Sequence, residues 1–294
     1  MVSVSAEPLS AAPGRGQRLA SLLRRLYEKP IPAIGTTITL LFLVLASLGP
    51  WIAPYDENEI VASDARQPPS AEHWFGTDNL GRDVFSRVVL GAREILVLAG
   101  LGTLLAVVFG TAIGLLAGYR RGWLDESVMR FFDSLLALPA LLLALLLLGT
   151  VGSSTYSVMI VIVLVYTPIV ARVVRSVTLS VKSKGFVEAA RLQGESQARI
   201  LFREILPSVM PALAVEAALR FSYAIFLVAS LGFLGVGVQP PSPNWGLMVK
   251  EARNFVNQIP WAMYFPAAAI SIVVIGVNLM ADGLKRVLQA PANN

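Results

Sequence analysis

Charged residues are almost absent from six long stretches of this 294-residue chain, and that spacing constrains its fold more than any other feature. The stretches run over 33–54, 95–119, 128–150, 156–174, about 210–235 and about 264–284. Each approaches or exceeds the ~20 residues with which a helix crosses a bilayer. Backbone in hydrocarbon must satisfy its own hydrogen bonds, and continuous apolar runs do so as helices. The chain is 55% hydrophobic and only 15% charged, where soluble domains carry about 25% charge. The expected fold class is an all-α polytopic membrane protein with six transmembrane helices.

Orientation is read from the basic residues, which concentrate on the cytoplasmic side. Arg15, Arg18, Arg24, Arg25 and Lys29 precede the first stretch. Arg120, Arg121 and Arg130 lie around the second connection, and Lys285 and Arg286 follow the last stretch. Between the fourth and fifth stretches stand Arg172, Arg175, Lys182, Lys184, Arg191, Arg199 and Arg203. All fall on one side if the spans alternate. Asp56, Glu57, Glu59, Asp64, Glu72, Asp78 and Asp83 fall on the other. Both termini are therefore expected in the cytoplasm. A net charge of +5 needs no nucleic acid to explain it in such a protein. The first apolar run continues past Val44-Leu45-Ala46 to Pro54, which favours an uncleaved span over a signal peptide.

The expected organisation is a cytoplasmic tail over 1–32, disordered in its Ala-, Ser-, Gly- and Pro-rich first 20 residues, and a first span over 33–54. An extracytoplasmic loop follows over 55–94, then a five-helix core over 95–285 and a cytoplasmic tail over 286–294. In the outer loop Asp78 is placed to cap an interfacial helix carrying Val84, Phe85, Val88 and Val89 on one face, with Gly91 ending it. Cysteine is absent and His73 is the only histidine, so no metal site is expected.

The cytoplasmic loop 175–207 contains KGFVEAARLQGESQARILFREILP. It predicts a short helix from about Phe186, a turn at Gly194, and a second helix capped by Ser196 and bearing Ile200, Leu201 and Ile205. Pro207 marks the start of the fifth span. Ala189 and Ala190 would let a partner approach the backbone closely, with Glu188 and Arg191 at the rim. An ordinary solvated hairpin is the alternative.

Ionisable groups within spans are functional candidates. Glu216 and Arg220, at i and i+4, are placed to pair with one another or to face a pathway. Asp133 is a similar case, and Asn278 suits an interhelical hydrogen bond. Pro139, Gly232, Gly235 and Gly237 are either flex points or sites of tight packing. Trp245 and Trp261 suit interfacial anchoring.

The string EAARLQG, with Leu206-Pro207 twelve residues after its Gly194, resembles the EAA motif of permease subunits of bacterial ABC importers. Glu204 stands where that motif usually has an apolar residue. FGTDNLGRDVFSRVVLGAR, MRFFDSLLALPALLLA and SLGFLGVGVQPPSPNWG are similar to segments of the C-type permeases of the dipeptide, oligopeptide and nickel family. So is NLMADGLKRVL, in which Ala281 and Lys285 replace the usual Gly and Arg. The resemblance runs from about Trp74 to Leu288.

It implies the type I ABC importer permease fold in a bacterial inner membrane. It also implies that Phe186, Glu188, Ala189, Ala190, Arg191, Gly194, Leu206 and Pro207 make the ATPase-coupling contact, and that Gly76, Thr77, Asp78, Gly81, Arg82 and Asp83 belong to a family outer-loop motif. The implied partners are a second, different permease subunit, one or two ATPase subunits, an extracytoplasmic substrate-binding protein and membrane lipid. No cofactor is expected in this chain, since ATP and magnesium would be held by the ATPase subunits. In keeping with this, the sequence has no phosphate loop of the form GxxxxGK[ST]. The rival reading, an ion-gradient-driven secondary transporter, predicts internal repeats and buried carboxylates at mid-membrane. No clear repeat is present.

Overall fold

The computed structural model describes residues 24–289, so the tail expected to be disordered lies outside it. The long apolar stretches are helices: α1 (Pro30–Ile52), α2 (Val84–Arg120), α3 (Trp123–Leu136), α4 (Ala140–Val151), α5 (Thr155–Lys182), α6 (Gly185–Leu192), α7 (Leu206–Leu234), α8 (Trp245–Ala252) and α9 (Pro260–Gln289). Among the described residues there is no strand, only an isolated bridge between Thr77 and Asp83. Five helices are long and apolar enough to cross a bilayer, and α3 with α4 makes up to six.

Two helices differ from expectation. The separate interfacial helix, capped by Asp78 and ended by Gly91, does not form. Asp83 is the cap, its Oδ2 accepting from Ser86 N at 2.7 Å, and the 37 residues of α2 continue through Gly91 without a break. At 1.5 Å per residue α2 is about 55 Å long, well beyond the ~30 Å of hydrocarbon. Gly91 serves close approach instead of termination. A Cβ there would meet Pro243 O at 2.3 Å and Trp245 Nε1 at 2.8 Å.

The third span is not straight. It is broken between Leu136 and Ala140, with α3 and α4 bent by 92°. Pro139 has no N–H to donate and biases Leu138 away from helical geometry, so the chain turns there. With 12 residues, α4 is only about 18 Å long and cannot span the bilayer alone. The charged side of α3 meets α5. Arg175 donates to both carboxylate oxygens of Asp125, at 2.5 and 2.7 Å, and Arg172 donates to Asp133. Asp133 thus pairs across the α3–α5 contact in this structure. Asn278 is half-buried, and its side chain makes no hydrogen bond with a described residue.

The bundle is organised around α2 and α5, which pack along a stripe of small residues. Cβ atoms added at Gly102, Gly110, Gly114 and Gly118 would meet Ile162, Val170, the Ala171 carbonyl and Thr178 at 2.5–2.8 Å. Ala106, fully buried, completes the four-residue spacing. Membrane helices gain attraction from such close contact, because lipid removes the hydrophobic drive between them. Gly114→Leu has to push against backbone at Ala171 and against Val174, both fully buried. It is expected to destabilise the fold by about 1–3 kcal/mol or more, read as a lower midpoint in a thermal melt of detergent-purified protein. A wild-type midpoint would show that the two helices do not pack this way. On the other side of the bundle α1 lies against α9, where Gly35 faces Leu279 and Gly276 faces Ile38.

Candidate functional site

Two polar constructions stand at opposite ends of α2. One is the hairpin beyond α5 and the other is a cap formed by residues 55–83 with the segment before α8.

The hairpin follows the sequence closely. Gly185–Leu192 is helical, Gly194 turns the chain, and Ser196 caps the next helical turn, its Oγ accepting from Arg199 N at 3.4 Å. Gly194 has φ +76°, a left-handed conformation that costs other L-residues about 1–2 kcal/mol. No new helix starts at Pro207. Residues Gln197–Leu234 form one continuous span, with a wider π turn over Ile200–Ile205. That turn lies just before Pro207, whose ring would collide with the Arg203 carbonyl in a regular helix.

The faces of α6 are unequal. Val187 and Ala190 are buried against Leu115, Tyr119, Val181, Ile200, Leu201 and Ile205. Ala190 therefore does not offer itself to a partner; it seats the helix on its own chain. Phe186, Glu188, Ala189, Arg191 and Leu192 are exposed, Leu192 at 86%. Leu206 is half-buried and Pro207 exposed. Arg191 also lies over the Tyr119 ring at 5.1 Å, while Lys182 donates to the Tyr119 carbonyl. Tyr119, which sequence reasoning left unassigned, thus ties the hairpin to α2. An exposed leucine and phenylalanine on an anchored helix form an apolar ridge of the kind that marks an interaction surface.

The cap is built from buried charges. Asp78 Oδ1 accepts from Leu80 N and Arg82 N at 2.8 and 3.0 Å, and its Oδ2 pairs with Arg82 Nε at 2.6 Å. Arg82 reaches on to Glu251 in α8 at 2.7 Å. Arg87, only 1% exposed, donates to the Glu57 carbonyl at 2.7 Å and the Ser242 carbonyl at 3.2 Å, with Glu251 at 4.0 Å. Two arginines and two carboxylates so balance one another, as buried charges must. Asp83 Oδ1 pairs with His73 Nδ1 at 2.9 Å. Glu94 accepts from Ser242 Oγ at 2.6 and 2.8 Å.

The motif residues Gly76, Thr77, Asp78, Gly81, Arg82 and Asp83 are thus gathered into one unit. Gly81, at φ +85°, lies so near Val61 that a Cβ would be 2.1 Å from its carbonyl oxygen. Thr77 Oγ1 accepts from Gln67 N at 2.8 Å. Gly76 packs on Trp261, whose Nε1 donates to the Thr77 carbonyl at 2.9 Å. Trp245 is fully buried and donates to the Val88 carbonyl at 2.9 Å. Trp245 is enclosed and so is not an interfacial anchor, and both tryptophans spend their N–H fastening the cap to a helix. Gly232, against Asn244 Oδ1 at 2.6 Å, is a packing site. The Pro240–Pro241 peptide is cis.

Within the bundle, Arg220 Nε lies 2.8 Å from Glu216 Oε1, but neither atom has an aligned hydrogen bond. The guanidinium lies over the Tyr223 ring at 4.8 Å and near that of Tyr166 at 5.8 Å. This is the intrahelical pair expected from the i,i+4 spacing.

Comparison with known proteins agrees with this architecture. Residues 110–291 match the family described as the inner membrane component of binding-protein-dependent transport systems. Residues 18–69 match the N-terminal transmembrane domain of oligopeptide transport permease C. The chain is 40% identical over 265 residues to the dipeptide transport system permease protein DppC of Alkalihalophilus pseudofirmus, covering 90% of this chain and 87% of that one. It is 38% identical to the glutathione transport system permease protein GsiD of Pectobacterium atrosepticum, over 90% and 88% of the two chains. It is also 38% identical to the probable D,D-dipeptide transport system permease protein DdpC of Escherichia coli, over 93% and 92%. The chain is therefore a multi-pass inner-membrane permease of the binding-protein-dependent ABC transport family, a C-type member of its peptide and nickel branch with the type I importer fold.

Proposed function

We propose that this chain forms half of the translocation pathway of an ATP-driven importer for peptides or similar small solutes, and that α6 is where an ATPase subunit engages it. The anchored α6 ridge supports this reading most directly. It presents Phe186, Glu188, Ala189, Arg191 and Leu192 outward, and its seat on Tyr119 and Ile200 joins it to both α2 and the span running into α7. A push on α6 then moves two long helices together. Both termini and the hairpin lie in the cytoplasm in this reading, and the cap faces outward to meet a substrate-binding protein. A second permease completes the pathway, and paired ATPase subunits bind and hydrolyse ATP with magnesium. Peptides are the favoured substrate class because relatives are named for dipeptide and glutathione transport.

The reading is tested by reconstituting the chain with its cognate permease, ATPases and binding protein in vesicles. Uptake of a labelled dipeptide is expected to require ATP and the ATPase subunits, and to survive an uncoupler. Uptake that continues without the ATPases but collapses with the uncoupler would establish an ion-driven transporter instead.

A further inference from the structure

At the capped end of α2 one arginine pairs with no described residue. Arg82 and Arg87 are enclosed and spend their donors within the cap. Arg93, two turns into α2 from Arg87, is exposed and makes no ion pair or side-chain hydrogen bond with any described residue. It lines a 440 Å³ groove between α1 and α2 whose other walls include Leu43, Ala46, Pro50, Trp51, Leu96 and Val97. Among the described residues Arg93 is the only charged group of that groove. It also lines an adjoining 840 Å³ cleft, where the carboxylates Asp56, Glu57 and Glu94 stand. Glu94 is already held by Ser242.

Both walls of this groove, α1 and α2, are apolar enough to cross the bilayer, so the surface they share is suited to lipid. Trp51, 80% exposed in the last turn of α1, marks the depth at which headgroups begin. A guanidinium on an apolar wall is stabilised by an anion, and its planar fork suits a phosphate oxygen pair. A phosphate joined to acyl chains supplies both the anion and the apolar body. The carboxylates Asp56 and Glu57 beyond Arg93, in no ion pair with a described residue, then favour a headgroup that carries an ammonium. We propose that this groove binds an aminophospholipid, with acyl chain along Leu43, Leu96 and Val97, phosphodiester on Arg93, and ammonium toward Asp56 and Glu57. This rests on the chain's position in the membrane and on no assignment of its transport substrate.

The test is native mass spectrometry of the full-length chain, purified in mild detergent and supplied with phosphatidylethanolamine and phosphatidylglycerol in equal amounts. Preferential retention of phosphatidylethanolamine is expected. Arg93→Gln should weaken retention about tenfold or more, as befits the loss of a charge-assisted hydrogen bond, with an unchanged melting midpoint. Asp56→Asn combined with Glu57→Gln should retain lipid but lose the preference. Equal retention by Arg93→Gln and wild type would overturn the site. Equal retention of the two lipids by wild type would overturn the aminophospholipid. Displacement of the lipid by millimolar inorganic phosphate would replace it with a site for a soluble anion.

Discussion

Gly194→Asp is expected to abolish uptake while leaving the chain inserted and folded. The reason lies in what surrounds Gly194. At φ +76° the backbone is left-handed, but no described residue beyond its chain neighbours lies within 4 Å of where a Cβ would stand. Aspartate tolerates that conformation better than most residues, so the intramolecular cost stays near 1 kcal/mol. A side chain and a charge added into this empty space can act strongly only on a partner that fills it. Glu188→Lys, on the exposed face of α6, reverses a charge at the same surface and is expected to have the same effect. The measurements are membrane content by immunoblot, co-purification of the ATPase subunit, and uptake of labelled dipeptide. Normal uptake by either variant, at normal membrane content, would remove α6 from the coupling role.

Arg87→Met has the largest expected effect on stability. The guanidinium is 1% exposed and joins α2 to two segments far from it in sequence: the outer loop at the Glu57 carbonyl, and 242–251 at the Ser242 carbonyl and the Glu251 carboxylate. Methionine fills much of the volume but leaves two carbonyls without a donor and the two carboxylates of the cluster facing Arg82 alone. Removing one member of a buried charge cluster costs about 3–5 kcal/mol. A thermal melt in detergent should show a large fall in midpoint, whereas Arg120→Met, on an exposed end of α2, should melt with wild type. Arg87→Lys keeps the charge and loses the fork, so it should fall between them. If Arg87→Met melts with wild type, the cap does not depend on this junction.

The hairpin was the most legible part of the molecule. Its helix, its left-handed turn at Gly194 and its Ser196 cap are all local events, decided by residues within a few positions of one another. The Glu216–Arg220 pair was legible for the same reason. Ala190 was misplaced because the motif does not say which side of the helix its own chain covers. Gly110, Gly114 and Gly118 gain their meaning only from the structure, which sets α5 against their four-residue spacing.

The cap was legible as a cluster of conspicuous residues but not as a construction. Asp78 and Asp83 both suit a helix N-cap, and the choice between them was made by the other demands on each. Asp78 is taken up by Arg82 and the Leu80 amide, which leaves Asp83 to cap α2. Gly91 reads equally well as a helix terminator until Pro243 and Trp245 are seen against it.

What the sequence determined by itself was the membrane class, the number and approximate extent of the apolar spans, and the hairpin. Crossing a bilayer is a demand on consecutive residues, and so it is written consecutively. Only the tertiary structure decided that α2 is one long helix, that Trp245 and Arg87 are enclosed, and that Trp261 turns its N–H onto the cap. Those outcomes rest on contacts such as Trp245 to Val88 and Trp261 to Thr77, which bring together residues more than a hundred and fifty positions apart. A buried N–H or charge takes whichever partner the packed bundle brings to it, and no local pattern specifies which partner that will be.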